Sequence, residues 1–188
     1  MTSSEHSATA ADGILQDTKD WTWVLERPCP DCGLDSGAVP REAVPGMIRA
    51  NAGAWVALLA GDEGALRRRP RPETWSDLEY ACHVRDVFRL FHFRLNLMLD
   101  QDGPDFPNWD QDETAVAGRY GEQQPAAVAA DLVEAARILA DAFERLGDAQ
   151  WLRTGNRSDG ARFTVESFSR YLVHDPVHHL FDVTGVRV

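Results

Sequence analysis

Three histidines in two separate stretches of the chain have the residue type and spacing of a metal site: His83, His174 and His178. His174 and His178 are four residues apart in a stretch that reads as helix, so their imidazoles share one face, one turn apart. A third imidazole from another helix, His83, would leave at least one coordination position open for water or substrate, as at reactive rather than structural metals. We therefore predict a divalent metal at His83, His174 and His178; imidazole suits zinc, nickel, copper or iron.

The residues around the C-terminal pair leave alternatives open. Pro176 lies between the two histidines, and a proline inside a helix removes a backbone hydrogen bond at a cost of about 3 kcal/mol. If it shifts the helical phase, His179 could replace His178 as a ligand. Asp175 and Asp182 could orient an imidazole through its second nitrogen. A simpler interpretation needs no metal: each histidine is a surface or core residue that is hydrogen-bonded within the fold.

Cysteines give a second pattern. Cys29-Pro-Asp-Cys32-Gly33 has the knuckle spacing of half a zinc ribbon, but a second Cys-x-x-Cys is absent, because Cys82 is the only other cysteine. Three interpretations stay open: no metal or redox role, a second metal with unidentified ligands, or a redox or disulfide role. Cys82 points about 100° away from its neighbour His83 around a helix, which predicts a core position.

Composition excludes several classes of protein. The 188 residues predict one domain (residues 20–188), preceded by a flexible tail (1–19) and beginning with an irregular arm (20–40). A net charge of −11 argues against nucleic acid as a partner, since phosphate binding needs clustered Lys and Arg. The sequence lacks an apolar stretch of about 20 residues, which predicts no membrane span. With no secretory signal and three cysteines, we expect the cytoplasm.

Hydrophobic periodicity predicts four long amphipathic helices and almost no strand. Ser76 with Glu79 forms a capping box at the start of the clearest helix, and Thr164 caps the last one. A connection of more than 20 residues, 101–124, separates the second and third helices and could contain a short helix at 113–120. The predicted fold is an all-α four-helix bundle with a long crossover connection, a fold that builds metal sites between facing helices. The predicted spans are 41 or 45–61, 76–100, 125–146 and 164–183.

The long connection also carries a combination of side chains that suits a small polar ligand: Trp109, Asp110, Arg119 and Tyr120. They could border a pocket mouth. A solvated loop with one anchoring tryptophan explains the same residues. His92, on a different part of its helix from His83, is interpreted as structural, and His6 belongs to the tail.

Two segments of the chain resemble the DinB/YfiT-like metal-dependent family. They are the run from Trp75-Ser76 through Leu78-Glu79 to His83-Val-Arg-Asp86, and the run His174-Asp-Pro-Val-His178-His-Leu-Phe-Asp182-Val183; the resemblance extends over residues 45–184. It implies a four-helix bundle with one histidine on the second helix and an His-x-x-x-His pair on the last. It also implies that His83, His174 and His178 bind the metal, either zinc or nickel.

The same resemblance implies a function. Family members include thiol-dependent transferases and isomerases that use low-molecular-weight thiols such as mycothiol or bacillithiol. We therefore expect a mycothiol-type transferase with a thiol cosubstrate, or a metal-hydroxide hydrolase, acting on a small-molecule substrate. A non-catalytic bundle that binds a metal or small molecule, or one that only recruits a partner, remains an alternative. Two oligomeric states stay open: a homodimer, since family members often dimerise and the arm carries Trp21 and Trp23, and a monomer.

Overall fold

The computed structural model describes residues 13–14 and 20–188. The predicted flexible tail, residues 1–19, therefore lies outside the described residues except for Gly13 and Ile14. Ile14 is buried in the hydrophobic core, so this part of the predicted tail packs against the domain.

Four long helices dominate the described residues, joined by short helices and one small hairpin. α1 and α3 each pack against both α5 and α7, and the core fills the space between the four, which confirms the predicted four-helix bundle. The two strands pair antiparallel, with Gly155 opposite Phe163. In chain order the elements are α1 (Val44–Leu59), α2 (Glu63–Leu66), α3 (Asp77–Asp100), α4 (Gln111–Ala117), α5 (Pro125–Glu144), α6 (Asp148–Trp151), β1 (Thr154–Asn156), β2 (Arg162–Thr164) and α7 (Val165–Thr184).

Helices α3 and α7, which carry the histidines, begin at the predicted caps. Ser76 accepts a hydrogen bond from the backbone N–H of Glu79, whose carboxylate accepts one from the backbone N–H of Ser76. The Thr164 hydroxyl accepts from the backbone N–H of Ser167 at the start of α7. Gly185 ends that helix with φ +69°, a left-handed conformation that favours glycine. Local sequence therefore defines where both helices begin.

Pro176 lies inside α7, and the helix continues through it. Asn51 of α1, itself buried, donates a hydrogen bond of 2.8 Å from its side-chain amide to the carbonyl oxygen of Pro176. A proline in mid-helix loses one backbone hydrogen bond. The bond from Asn51 ties α7 to α1 at the turn that carries the histidines.

The long connection contains the predicted short helix, α4, which begins two residues earlier than expected. Asp110 caps it by accepting from the backbone N–H groups of Asp112 and Glu113, both at 2.9 Å. A 3₁₀ turn, Tyr120–Glu122, follows and brings the buried Tyr120 against α3. The connection is thus packed against the bundle.

The irregular arm, residues 20–40, packs on the outside of α7. Its 3₁₀ turns Thr22–Leu25 and Ser36–Ala38 both contact that helix. Its two tryptophans, Trp21 and Trp23, lie against His174. None of the helices in residues 13–14 and 20–188 is both long and apolar enough to cross a membrane.

Close to His83, α3 is tied to the connection by a charged network. Asp86 accepts a hydrogen bond of 2.6 Å from the Tyr120 hydroxyl and another of 2.9 Å from the Arg85 guanidinium. Burial alone would raise the pKa of Asp86, but these two donors outweigh burial and hold the pKa below 3.8. The carboxylate is therefore ionised at neutral pH.

The Tyr120→Phe variant tests this network. It keeps the ring and removes a charge-assisted hydrogen bond, so the free energy of unfolding should fall by about 1 to 3 kcal/mol at neutral pH. Because the folded-state pKa of Asp86 is lowered, its stabilisation is present above pH 3.8 and is lost as the pH falls through the lower folded-state pKa. The difference between the two proteins, measured by urea unfolding, should therefore shrink in acid. Equal urea midpoints at neutral pH would contradict the proposed role of the network.

Candidate metal centres

Two groups of potential metal ligands occur in the described residues, and both use α7. His83, Asp175 and His179 form the α3–α7 group, and Cys29, Cys32, His174 and His178 form the arm group. Within each group every residue offers a donor atom, and these atoms lie within 4.8 Å of one another.

The predicted set of three histidines is divided between the two groups. His174 and His178 come together as their spacing predicted, with ring centroids 5.0 Å apart, but they meet the arm. His83 instead meets His179, with ring centroids 4.9 Å apart. The reason is helical phase: successive residues of α7 are rotated by about 100°, so Asp175 and His179 occupy the face next to that of His174 and His178. α3 lies over the former face and the arm over the latter.

In the α3–α7 group a carboxylate lies between two imidazoles. Asp175 Oδ1 is 3.5 Å from His83 Nε2, and Asp175 Oδ2 is 3.8 Å from His179 Nε2. Nitrogen and oxygen ligands of a tetrahedral ion at about 2.0–2.1 Å lie roughly 3.3 Å apart. The observed separations are therefore close to those of a metal site.

His83 is buried, with 1% of its surface exposed, between two indole rings. The Trp75 ring centroid is 5.1 Å away, and Trp109 stacks on the imidazole at 5.6 Å. Neither ring nitrogen of His83 has a hydrogen-bond partner among the described residues. Burial lowers the pKa of His83, which keeps the imidazole neutral and able to bind a metal.

Asp175 supplies the negative charge of this group. Burial alone would raise its pKa, but the adjacent imidazoles of His179 and His83 outweigh burial, and the pKa lies below its ordinary value. Oδ1 is buried and makes no hydrogen bond among the described residues, whereas the whole side chain is 34% exposed. An ionised carboxylate beside two imidazoles is a suitable ligand set for a divalent cation.

A second carboxylate orients His179. Asp182 Oδ2 lies 3.0 Å from His179 Nδ1, which leaves Nε2 aimed at Asp175. Such a carboxylate–imidazole contact fixes the ring and its tautomer at metal sites. The ring of Tyr80 packs against His179 at 5.0 Å. His179 is 20% exposed, so the α3–α7 group reaches the surface on the side of α7.

The α3–α7 group fits a divalent metal with three protein ligands. The two nitrogens of His83 and Oδ1 of Asp175 are buried polar atoms with no hydrogen-bond partner among residues 13–14 and 20–188, and leaving such atoms without a partner is costly. Three ligands leave coordination positions for a further molecule, as at reactive metal sites.

The arm group is more enclosed. Cys29 Sγ lies 3.5 Å from His178 Nδ1, and both cysteines and His174 are buried. Burial, aided by the neighbouring Cys29, raises the pKa of the Cys32 thiol to about 11. Burial also lowers the pKa of His174 to about 4. All three cysteines of the chain are free thiols, and Cys82 is buried in the core as predicted.

The other residues singled out in the sequence, namely the suggested pocket residues and His92, mostly lie outside the two groups. Of the suggested pocket residues, Trp109 flanks His83, but Asp110 caps α4 and the exposed Arg119 pairs with Glu122. His92 contacts Asn96 at 3.2 Å within α3 and does not take part in either group.

The sequence identified His179 as an alternative candidate ligand, but it gave Asp175 only an orienting role and did not predict that the two cysteines meet His174 and His178. The i, i+4 spacing of Asp175 and His179 is the same as that of His174 and His178, and it was an available signal. The absence of a second Cys-x-x-Cys was a signal that two ligands of another type were needed.

Comparison with known proteins identifies a family. The family model of the DinB superfamily matches residues 48–181, which is more than half of the chain and includes all of α3 and α7 as far as Phe181. The chain therefore belongs to the DinB superfamily. A comparison with curated protein sequences finds no match.

Solved structures share the fold at low sequence identity. YfiT from Bacillus subtilis, described as a probable metal-dependent hydrolase with an unusual four-helix bundle topology, has a TM-score of 0.70 and 18% identity, covering 77% of this chain and 84% of its own. The mycothiol-dependent maleylpyruvate isomerase has a TM-score of 0.66 and 13% identity, covering 81% of this chain. This chain spans 64% of the isomerase's length.

The Asp175→Asn variant tests the α3–α7 group. Loss of the charged ligand should weaken divalent-metal binding there by more than about tenfold, because an amide is a poorer ligand than a carboxylate. The measurement is a zinc titration followed by NMR of the histidine rings. In the unchanged protein the signals of His83 and His179 should shift, and His92 serves as the internal control. Unshifted His83 and His179 signals at saturating zinc would rule out this ligand set.

Proposed function

Because the chain belongs to the DinB superfamily, we propose that it is a metal-dependent enzyme whose metal is bound by His83, Asp175 and His179. The reaction proposed is transfer of a low-molecular-weight thiol of the mycothiol type to a small electrophilic substrate. The site proposed differs from the three-histidine set in using one carboxylate and the adjacent face of α7.

One observation carries the proposal. His83 is almost completely buried, yet neither of its nitrogens has a hydrogen-bond partner in the part of the chain that the structure describes, and the carboxylate and second imidazole beside it are at ligand separations. A histidine that served only packing would be expected to satisfy at least one nitrogen. A cation between the three side chains explains all of these contacts together.

A divalent metal held there would lower the pKa of a bound thiol or water enough to make it a nucleophile at neutral pH. The protein's own side chains would do the rest. Asp182 holds the ring of His179 in the orientation that directs Nε2 to the site. Trp75 and Trp109 pack against the ring of His83 and would exclude water from that part of the site. Substrate would approach from the side where Asp175 and His179 are partly exposed.

Two features favour a thiol over water as the nucleophile. The indole rings beside His83 give the site an apolar wall, which suits a sulfur nucleophile and restricts water. The mycothiol-dependent maleylpyruvate isomerase has the same fold. A metal-dependent hydrolase is the second candidate, because YfiT is described as a probable metal-dependent hydrolase.

The deciding experiment is an activity screen with three metal states: as purified, chelated, and chelated then reloaded with zinc or nickel. Small electrophiles are incubated with mycothiol, bacillithiol or no thiol, and thiol consumption and hydrolysis products are measured. We expect metal-dependent consumption of a thiol that is lost on chelation and restored by reloading. The His83→Gln variant should lose this activity by at least about a hundredfold, since removing a ligand exceeds the 10–100-fold effect of changing its outer partner.

The matched control is His92→Gln, which changes a histidine of the same helix outside the site and should retain activity. Metal-dependent hydrolysis without any thiol would replace the transferase by the hydrolase. If no metal state shows turnover with any thiol or with none, the proposal is wrong and the protein is a non-catalytic bundle. Equal turnover in the chelated and reloaded proteins would also contradict the proposal, because the activity would not depend on the metal.

A further inference from the structure

The arm group brings together four side chains from the two ends of the domain. Cys29 and Cys32 belong to the arm, whereas His174 and His178 lie one turn apart on α7. Tetrahedral zinc with Zn–S near 2.3 Å and Zn–N near 2.0–2.1 Å places a sulfur and a nitrogen ligand about 3.5 Å apart. Cys29 Sγ and His178 Nδ1 are 3.5 Å apart. With all donors within 4.8 Å, an ion would draw the others inwards by about 1 Å or less.

The backbone around the cysteines forms a tight turn that directs both thiols to α7. The backbone N–H of Gly33 donates to the carbonyl oxygen of Cys29 at 3.0 Å, and that of Cys29 donates to the carbonyl of Leu34 at 2.9 Å. Gly33 has φ +90°, and a Cβ there would lie 2.7 Å from the carbonyl oxygen of Val188, so glycine is required. A Cys-x-x-Cys-Gly turn of this kind supplies one half of many zinc sites.

The other half is normally a second pair of cysteines or histidines. His174 and His178 occupy that place. Nε2 of His174 is buried and has no hydrogen-bond partner among the described residues. Nε2 of His178 faces the carboxylate of Asp182 at 3.7 Å, on the side away from Cys29. Carboxylates commonly orient metal-bound imidazoles in this way.

Aromatic rings cover the group, and the side chain of His178 is 12% exposed. The Trp21 ring lies 5.4 Å from that of His174 and 5.1 Å from that of His178, and Trp23 lies 6.5 Å from His174. Four protein ligands under such a cover leave no position for substrate or water. Closed four-ligand sites of cysteine and histidine are structural zinc sites.

We infer that Cys29, Cys32, His174 and His178 bind a structural zinc ion that fastens the N-terminal arm to α7, at a site separate from His83, Asp175 and His179. Binding displaces the two thiol protons to solvent, and the oxidation state of sulfur and metal does not change. The inference does not depend on the proposed enzymatic activity, since it concerns different residues and a different role.

Cobalt substitution tests the site. Thiolate ligands give bound Co²⁺ an intense sulfur-to-metal charge-transfer absorption, whereas imidazole and carboxylate ligands do not produce this band. The full chain is chelated under reducing conditions, its free thiols are counted, and Co²⁺ is added. We expect the charge-transfer band, and its displacement by zinc. The Cys29→Ser, Cys32→Ser double variant should lose the band and bind one metal ion fewer than the unchanged protein.

Two control variants separate the sites. His83→Gln with His179→Gln should keep the charge-transfer band, and so should Cys82→Ala, which removes the remaining cysteine. The absence of a band in the unchanged protein with reduced thiols would overturn the inference, even if the double cysteine variant fails to fold. A band that disappears only with Cys82→Ala would also overturn it. Protection of the arm from limited proteolysis by zinc, in both the unchanged protein and the His83→Gln, His179→Gln variant, would support the structural role.

Discussion

The rotational phase of α7 is the constraint on which both groups depend. A rotation of about 100° separates His174 and His178 from Asp175 and His179, so α7 presents one ligand pair to the arm and the other to α3. Three contacts fix that phase. Thr164 caps the start of α7, and the buried face of α7 packs in the core. The side-chain amide of Asn51 donates a hydrogen bond to the carbonyl oxygen of Pro176, which lies in the turn that carries both pairs. A shift of the helix by one residue would move only one of the two pairs to the other face and bring apolar residues to the remaining face, so neither group would keep its side chains.

The features that depend only on residues close to one another in the sequence could be predicted. The Ser76–Glu79 capping box and the Thr164 cap are contacts over three residues, and both are present. The amphipathic spacing of the long helices predicted the bundle for the same reason, because the face of each helix is determined within its own segment. The buried position of Cys82 followed from its place beside His83 on such a helix.

The division of the histidines could not be predicted in this way. The i, i+4 spacing correctly predicted that His174 and His178 share a face of α7. It does not indicate which other part of the chain packs on that face. The covering element is the arm, whose tryptophans and prolines have no periodicity and whose position is decided by long-range packing on α7. His83 was therefore assigned to the nearest histidine pair on the last helix, when the pair it meets is Asp175 and His179.

The two groups differ in how accessible they are to a further molecule, and this accessibility is the property that distinguishes reactive from structural metal sites. Cys32 is fully buried and His174 nearly so, whereas Asp175 is 34% exposed and His179 is 20% exposed. They nonetheless share one carboxylate, because Asp182 lies 3.0 Å from His179 and 3.7 Å from His178. An ion that fixed His178 would also restrict Asp182 and hence the ring of His179. With an ion bound at the arm group, Asp182 would therefore also hold the ring of His179 in the α3–α7 group, and the position of the arm would influence the proposed open site.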